Sequence, residues 1–212
     1  MKTAAALSLL ATPAMAFFGQ KPAAKAAAPA VPVFSIDTIP GAIEPTGLFD
    51  PLNFAAKADE ATLKRYREAE LTHGRVAMLA SVGFLVGEAV ESKTVLFNGE
   101  ITGPAITHLA QVNPTLWLIL GVGIARAELD RADIGWKEPE NVRFDRPGEL
   151  REAYIPGNLG FDPLGLKPED EEEFFEMQTK ELQNGRLAML AAAGFLAQEL
   201  TDGKGIVEHF MS

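Results

Sequence analysis

The sequence predicts an all-α membrane protein: three transmembrane helices, the first and third crossed about a pseudo-two-fold axis, joined by long loops. Three observations predict it. Apolar residues make up an ordinary 47% of the 212-residue chain, but they gather in three segments separated by polar stretches rich in Pro and Gly. One of these segments occurs twice. ELTHGRVAMLASVGFLVGE (Glu70 to Glu88) and ELQNGRLAMLAAAGFLAQE (Glu181 to Glu199) align at an offset of 111 with twelve of nineteen positions identical, the mark of a duplicated structural unit. Each copy also sets a Glu, a His or Asn, and an Arg at the edge of an apolar run, where ionisable groups are costly without partners. A two-fold contact is self-complementary, so if Glu70 pairs with Arg186, then Arg75 pairs with Glu181.

In chain order, MKTAAALSLLATPAMA has Lys2, a short apolar run and small residues around Met15, the layout of a cleavable leader. No acidic residue precedes Asp37, and the stretch after Met15 is rich in Ala, Pro and Lys. This suits either an ordinary secretory signal followed by a linker or an organelle transit segment. Residues 37–60 are rich in turns, with Pro40-Gly41, Pro45-Thr46-Gly47 and Asp50-Pro51. Asp59 is an N-cap candidate for the first long helix. Its charged start and apolar continuation exceed the roughly 20 residues a span requires. Gly74, Ala77, Ser81 and Gly83, matched by Gly185, Ala188, Ala192 and Gly194, permit close backbone approach.

Residues 91–113 read as a loop holding His108, and Pro114 suits the first turn of a middle span. Residues 132–168 read as a second loop. Glu169 to Glu173 is an acidic run at the start of the third helix, where negative charge favours the dipole. The spans are expected at about 62–91, 114–131 and 170–201, after a leader of 1–30 and within a domain of 31–212. Lys and Arg flank the first helix at Lys57, Lys64, Arg65 and Arg67 and recur in the second loop at Arg131, Lys137, Arg143, Arg146, Arg151 and Lys167, against Lys93 alone in the first. That bias puts the N-terminus and the second loop on one side and the C-terminus on the other.

The chain is acidic, with a net charge of −10 and no basic cluster, so nucleic acid is not expected as a partner. With no cysteine, disulfides and Cys-ligated metals are excluded. Glu70-x-x-His73 places two ligating groups on one helical face. A di-iron carboxylate bundle would use Glu-x-x-His on two helices and a Glu from each of two others. The second copy has Glu181-x-x-Asn184 and three helices are expected, so that reading fails twice. A series of single axial ligands to pigment magnesium fits better, because a hard cation accepts His, Asn or an Arg-compensated Glu. Ion pairs that merely lock two helices would explain Glu and Arg but not His73 and Asn184 at equivalent places.

The strings ELTHGRVAML and KELQNGRLAML, each preceded by an FDPL-type loop, resemble the first and third spans of the chlorophyll-binding light-harvesting antenna family. The style is that of its red-lineage branch, the fucoxanthin–chlorophyll a/c proteins, and the likeness covers about residues 44–206. The leader then reads as plastid-targeting. The resemblance implies magnesium ligands at Glu70, His73, Glu128, Glu181, Asn184 and Gln198, with Arg186 and Arg75 neutralising Glu70 and Glu181. Leu48–Asn53 and Gly160–Leu164 resemble the segments that hold the ends of two central carotenoids. The implied cofactors are chlorophyll a, chlorophyll c and a carotenoid, fucoxanthin or a related xanthophyll.

The implied partners are a photosystem core, neighbouring antenna subunits and thylakoid lipids. The N-terminus would be stromal and the C-terminus lumenal. The implied work is light harvesting and excitation transfer, without enzymatic turnover. A photoprotective, energy-dissipating relative is the alternative, and a pigment-free scaffold a third. Gly87 stands where the second copy has Gln198, so that ligand exists once. His108, alone in its loop, has the setting of a solvated histidine, and His209 is not matched to any ligand. Trp117 and Trp136 read as a core residue and an interface anchor. Glu88, Glu91, Glu100, Glu199, Asp202 and Glu208 are expected to be ordinary solvated carboxylates.

Overall fold

The protein is known from a computed structural model that describes residues 39–45, 47–90, 101–138 and 148–211. All fall within one compact unit, Val33–Ser212. The expected leader, and with it the 30/31 boundary, lies outside the described residues, as do Glu91, Lys93, Glu100, Arg143 and Arg146.

The regular elements of the described chain are helices: α1 (Phe54–Lys57), α2 (Glu60–Val90), α3 (Ala105–Gln111), α4 (Pro114–Gly135), α5 (Glu171–Asp202) and α6 (Ile206–Met211). Helix starts follow local chemistry. Asp59 accepts the Thr62 N–H at 3.2 Å before α2. Asn113 accepts the Thr115 N–H at 2.9 Å before α4, with Pro114 at the first helical position. Asp170 accepts the Glu173 N–H at 3.1 Å before α5, whose first turn holds Glu171, Glu172 and Glu173. Such caps satisfy donors that have no partner within the helix. Helix α5 ends at Gly203, whose φ of 66° is the left-handed conformation that glycine adopts without penalty.

The long helices α2 and α5 cross with their backbones in contact. A Cβ on Gly74 would stand 3.0 Å from Gly185 Cα, and one on Gly185 would stand 3.0 Å from Gly74 Cα. The buried apolar positions of the two helices are Leu71 and Ala77 on one and Leu182 and Ala188 on the other, each pair 111 residues apart. Farther along the seam, Ser81 Oγ donates to Ala188 O at 3.2 Å, and Phe84 meets Phe195 edge-on at 5.9 Å. The duplication is therefore realised as a two-fold seam.

The protein's own core is narrow. Val76, Leu79, Val82, Leu85, Val86, Leu187 and Leu190 point away from the seam, and along α4 so do Leu118, Ile119, Val122 and Ile124. An apolar exterior of this extent marks surfaces that something other than water covers.

One expectation needs correction. The stretch 91–113 is not all loop: Ala105–Gln111 is helical and meets α4 at a bend of 104°. His108 therefore sits on a helix. Among the described residues no single helix is long and apolar enough to cross a membrane, although α3 and α4 together pass as one bent pair. The physical reason lies in α2 and α5, whose apolar runs are shared with the charged residues that pair across the seam.

Candidate functional site

The crossing brings the repeated charges together. Arg186 Nε donates to Glu70 Oε1 at 2.7 Å, and Arg75 Nε donates to Glu181 Oε1 at 2.7 Å. Each arginine also reaches a backbone carbonyl in the loop that precedes the partner helix: Arg186 Nη1 to Gly41 O at 2.7 Å, Arg75 Nη2 to Gly157 O at 3.0 Å. The loops are themselves matched. Asp50 accepts the N–H groups of Phe54 and Ala55, and Asp162 those of Leu166 and Lys167. Those two backbone donors hold the Asp162 carboxyl below its ordinary range.

The symmetry is broken at Glu70. Arg67 Nη1 lies 3.1 Å from Glu70 Oε2, a second cation at this carboxylate, where the aligned position of the second copy is Gln178. The site around Glu70 borders a cavity of about 640 Å³ lined by Ile39, Leu48, Phe49, Phe54 and Tyr66.

The expected ligands share one feature. His73 Nδ1 lies 2.7 Å from the carbonyl of Ala69, one turn back. A carbonyl only accepts, so Nδ1 carries the proton and Nε2 keeps its lone pair. Asn184 Nδ2 donates to Lys180 O at 2.8 Å, which leaves Oδ1 as the acceptor. Gln198 donates its amide to Asp202, leaving Oε1. His73 and Asn184 are exposed at equivalent places beside the seam. In each case a hydrogen bond from the ligand's own N–H orients an atom suited to a hard cation. Glu128 projects from α4, 58% exposed, with Oε2 held by Arg131 Nη1 at 3.0 Å. The donor chemistry thus fits axial ligation of magnesium, one residue per metal. Among the described residues no group of three or more His, Cys, Asp or Glu is placed to hold an ion together.

Several functional side chains escaped the sequence reading. Glu68 is 4% exposed, and its carboxylate accepts from Arg131 Nε at 3.1 Å, Tyr154 Oη at 3.0 Å and Gly157 N at 2.8 Å. Burial and the neighbouring Glu68 charge push the Tyr154 phenol up to about 12. The available signal was a break in the repeat, since Glu68 aligns with Thr179 and Arg67 with Gln178.

The acidic residues at the far end of the seam are a correction. Glu88 accepts the N–H groups of Ile206 and Val207 at 2.7 and 2.8 Å, and Glu199 accepts that of Ile106 at 2.7 Å. Glu199 is 2% exposed. These two, the last identical pair of the repeat, cap α6 and α3 and are not solvated groups; Asp202 is engaged by His209 at 2.8 Å and by Gln198. Glu208 is exposed, as expected. His108 Nε2 bonds Gly103 O at 2.8 Å, and its ring lies over Gly87, the position that matches Gln198. Trp117 Nε1 donates to Leu109 O at 3.0 Å, bracing the α3–α4 bend, and Trp136 pairs with Leu150 at the foot of α4.

The chain is 48% identical over 177 residues to light-harvesting complex stress-related protein 1 of Chlamydomonas reinhardtii, covering 82% of this chain and 69% of the relative. It is 52% identical over 167 residues to a fucoxanthin-chlorophyll a-c binding protein of Isochrysis galbana, covering 78% and 77%. It is 32% identical over 205 residues to fucoxanthin-chlorophyll a-c binding protein F of Phaeodactylum tricornutum, covering 94% and 95%. The chain spans about two thirds of the length of the stress-related relatives it matches, 69% and 66% for two of them. Residues 36–200 match the family described as chlorophyll A-B binding protein, and the chain belongs to that family.

Proposed function

We propose that the protein is a thylakoid antenna that holds chlorophylls and carotenoids at fixed spacing and passes excitation to a photosystem. Its axial ligands are Glu70, His73, Glu128, Glu181, Asn184 and Gln198. The observation that carries the reading is the matched pair His73 and Asn184. Both stand outside the seam, and both spend their N–H on the carbonyl one turn back, so that a lone pair is presented outward.

Helices α2, α4 and α5 are read as the spans. At 1.5 Å per residue they measure about 46, 33 and 48 Å, against a hydrocarbon core of about 30 Å. Pairing removes most of the penalty that the buried carboxylates and guanidiniums would otherwise impose. The residues 1–30 are a plastid leader and 31–212 the antenna domain. The N-terminus faces the stroma and the C-terminus the lumen. Bound chlorophyll, with chlorophyll a and chlorophyll c as the species, supplies the light absorption. The protein supplies ligand, orientation and exclusion of water, and catalyses no reaction. Leu48–Asn53 and Gly160–Leu164 would hold the ends of two carotenoids, fucoxanthin or a related xanthophyll. Photosystem core, neighbouring antennae and thylakoid lipids are the partners.

A second reading, photoprotective dissipation, is favoured by the likeness to the stress-related relatives. The test is chlorophyll fluorescence of the isolated protein, excited in the carotenoid band at neutral and at acid pH. Bright sensitised emission at both supports the antenna. Weak emission that falls further in acid moves the assignment to dissipation. Absence of co-purifying pigment removes both and leaves a scaffold.

A further inference from the structure

Arg186, Arg75 and Arg131 each divide their N–H groups between an expected carboxylate ligand and a second acceptor. Arg186 gives Nε to Glu70 and Nη1 to Gly41 O. Arg75 gives Nε to Glu181 and Nη2 to Gly157 O. Arg131 gives Nη1 to Glu128 Oε2 and Nε to Glu68 Oε1. The point matters because guanidinium and carboxylate prefer to meet through two parallel N–H···O bonds. A carboxylate gripped that way has both oxygens turned toward the cation. One held by a single N–H keeps its second oxygen for a metal, as Glu128 does, whereas Glu70 Oε2 is met by Arg67 at 3.1 Å.

We propose that Glu68 is a positioning residue that occupies Arg131, keeps its contact with Glu128 single, and so leaves Glu128 Oε1 open as a chlorophyll ligand. This rests on the reading of Glu128 as a ligand. The geometry fits the role. Arg131 is 18% exposed at its side chain and Glu68 5%, while Glu128 at 58% is free to rotate onto the guanidinium. Glu68 does not drift, because Tyr154 Oη and Gly157 N hold its other oxygen. Tyr154 also packs against the foot of α4, its ring 3.2 Å from the Cβ that Gly135 would carry. The Gly157 peptide works at two sites at once. Its N–H goes to Glu68 and its carbonyl to Arg75, so one turn supplies the second acceptor for Arg75 and fixes the one for Arg131.

The experiment is full-length protein refolded with pigments in detergent, with chlorophyll counted per polypeptide and the visible circular dichroism recorded. Glu128→Ala should remove one chlorophyll and its dichroic band. Glu68→Gln should remove the same chlorophyll and band, because Arg131 then closes on both oxygens of Glu128. Glu68→Gln combined with Arg131→Lys should regain it, since an ammonium has no fork. Should Glu68→Gln not refold, Glu68→Asp keeps the buried charge but withdraws it from Arg131, and is expected to show the same loss. Glu68→Gln with the chlorophyll retained overturns the proposal. So does loss that Arg131→Lys does not restore, which would make Glu68 a structural brace only. Glu128→Ala with an undiminished pigment count overturns the ligand reading of Glu128 and this proposal together.

Discussion

Replacing either cross-seam arginine by leucine should not cost the same, although the two are related by the pseudo-two-fold. Arg75→Leu leaves Glu181 without the guanidinium that meets it at 2.7 Å and deprives Gly157 O of the Arg75 donor at 3.0 Å. Arg186→Leu leaves Glu70 with Arg67 still 3.1 Å away, and leaves Gly41 O with Gln183 Nε2 at 3.0 Å. Breaking a fully buried pair costs about 3–5 kcal/mol, and an exposed one contributes about 0–1 kcal/mol. The Arg75 and Glu181 side chains are 36% and 33% exposed, so their pair falls between these limits. Loss of the carbonyl's partner adds about 1 kcal/mol.

The expected penalty is about 3 kcal/mol for Arg75→Leu and about 1 kcal/mol for Arg186→Leu. The difference of about 2 kcal/mol is roughly a thirtyfold change in the folded fraction. The assay is the half-life of carotenoid-to-chlorophyll energy transfer at fixed elevated temperature, for each variant refolded with pigment. Arg186→Leu should survive far longer, and adding Arg67→Leu to it should bring it down to the Arg75→Leu level. Equal half-lives, or the reverse order, would refute the claim that Arg67 and Gln183 act as reserves.

His73→Ala and Asn184→Ala should each lower the chlorophyll count by about one with the other pigments retained; an unchanged count would end the ligand assignment. Gly74→Val places atoms into the Gly185 backbone, where even a Cβ stands at 3.0 Å, and overpacking of this kind costs about 1–3 kcal/mol. Its circular dichroism melt should fall accordingly, whereas Gly83→Ala, with nothing within 4 Å, should not lower it. Glu88→Ala should expose the amides of α6 and Glu199→Ala those of α3 to faster hydrogen exchange, at about 0.5–2 kcal/mol per lost cap; unchanged protection would refute the capping roles.

Tyr154 supplies the pH dependence. Its folded pKa of about 12 lies above the unfolded value of about 10. The stabilisation it contributes is therefore complete below pH 10 and lost as pH rises toward 12. Alkaline unfolding followed at the tyrosinate band should move to higher pH in Tyr154→Phe, and an unmoved transition would count against the buried Tyr154–Glu68 bond.

Much of this molecule is legible in one dimension because it was written twice. The offset of 111 fixes which residues are equivalent, and a two-fold then leaves Glu70 only Arg186 and Glu181 only Arg75 as cross-partners. Small residues at Gly74 and Gly185 marked the crossing, and Asp59 and Pro114 marked helix starts, because close packing and capping are local demands with few chemical solutions. What the chain alone could not show lies where the repeat lapses or where contacts join distant segments.

Glu68 has no counterpart in the second copy, and its donors come from residues 63, 86 and 89 positions away. No pattern along the chain announces a buried carboxylate whose partners are a helix, a loop tyrosine and a turn amide. Glu88 and Glu199 read as the polar ends of apolar helices, and only folding set them against α6 and α3, 118 and 93 residues distant. Sequence by itself determined the duplication, the three long helices and the paired charges. Tertiary structure decided which carboxylates are ligand candidates, which are caps and which hold an arginine in place, because those roles depend on which donors converge on each oxygen in space.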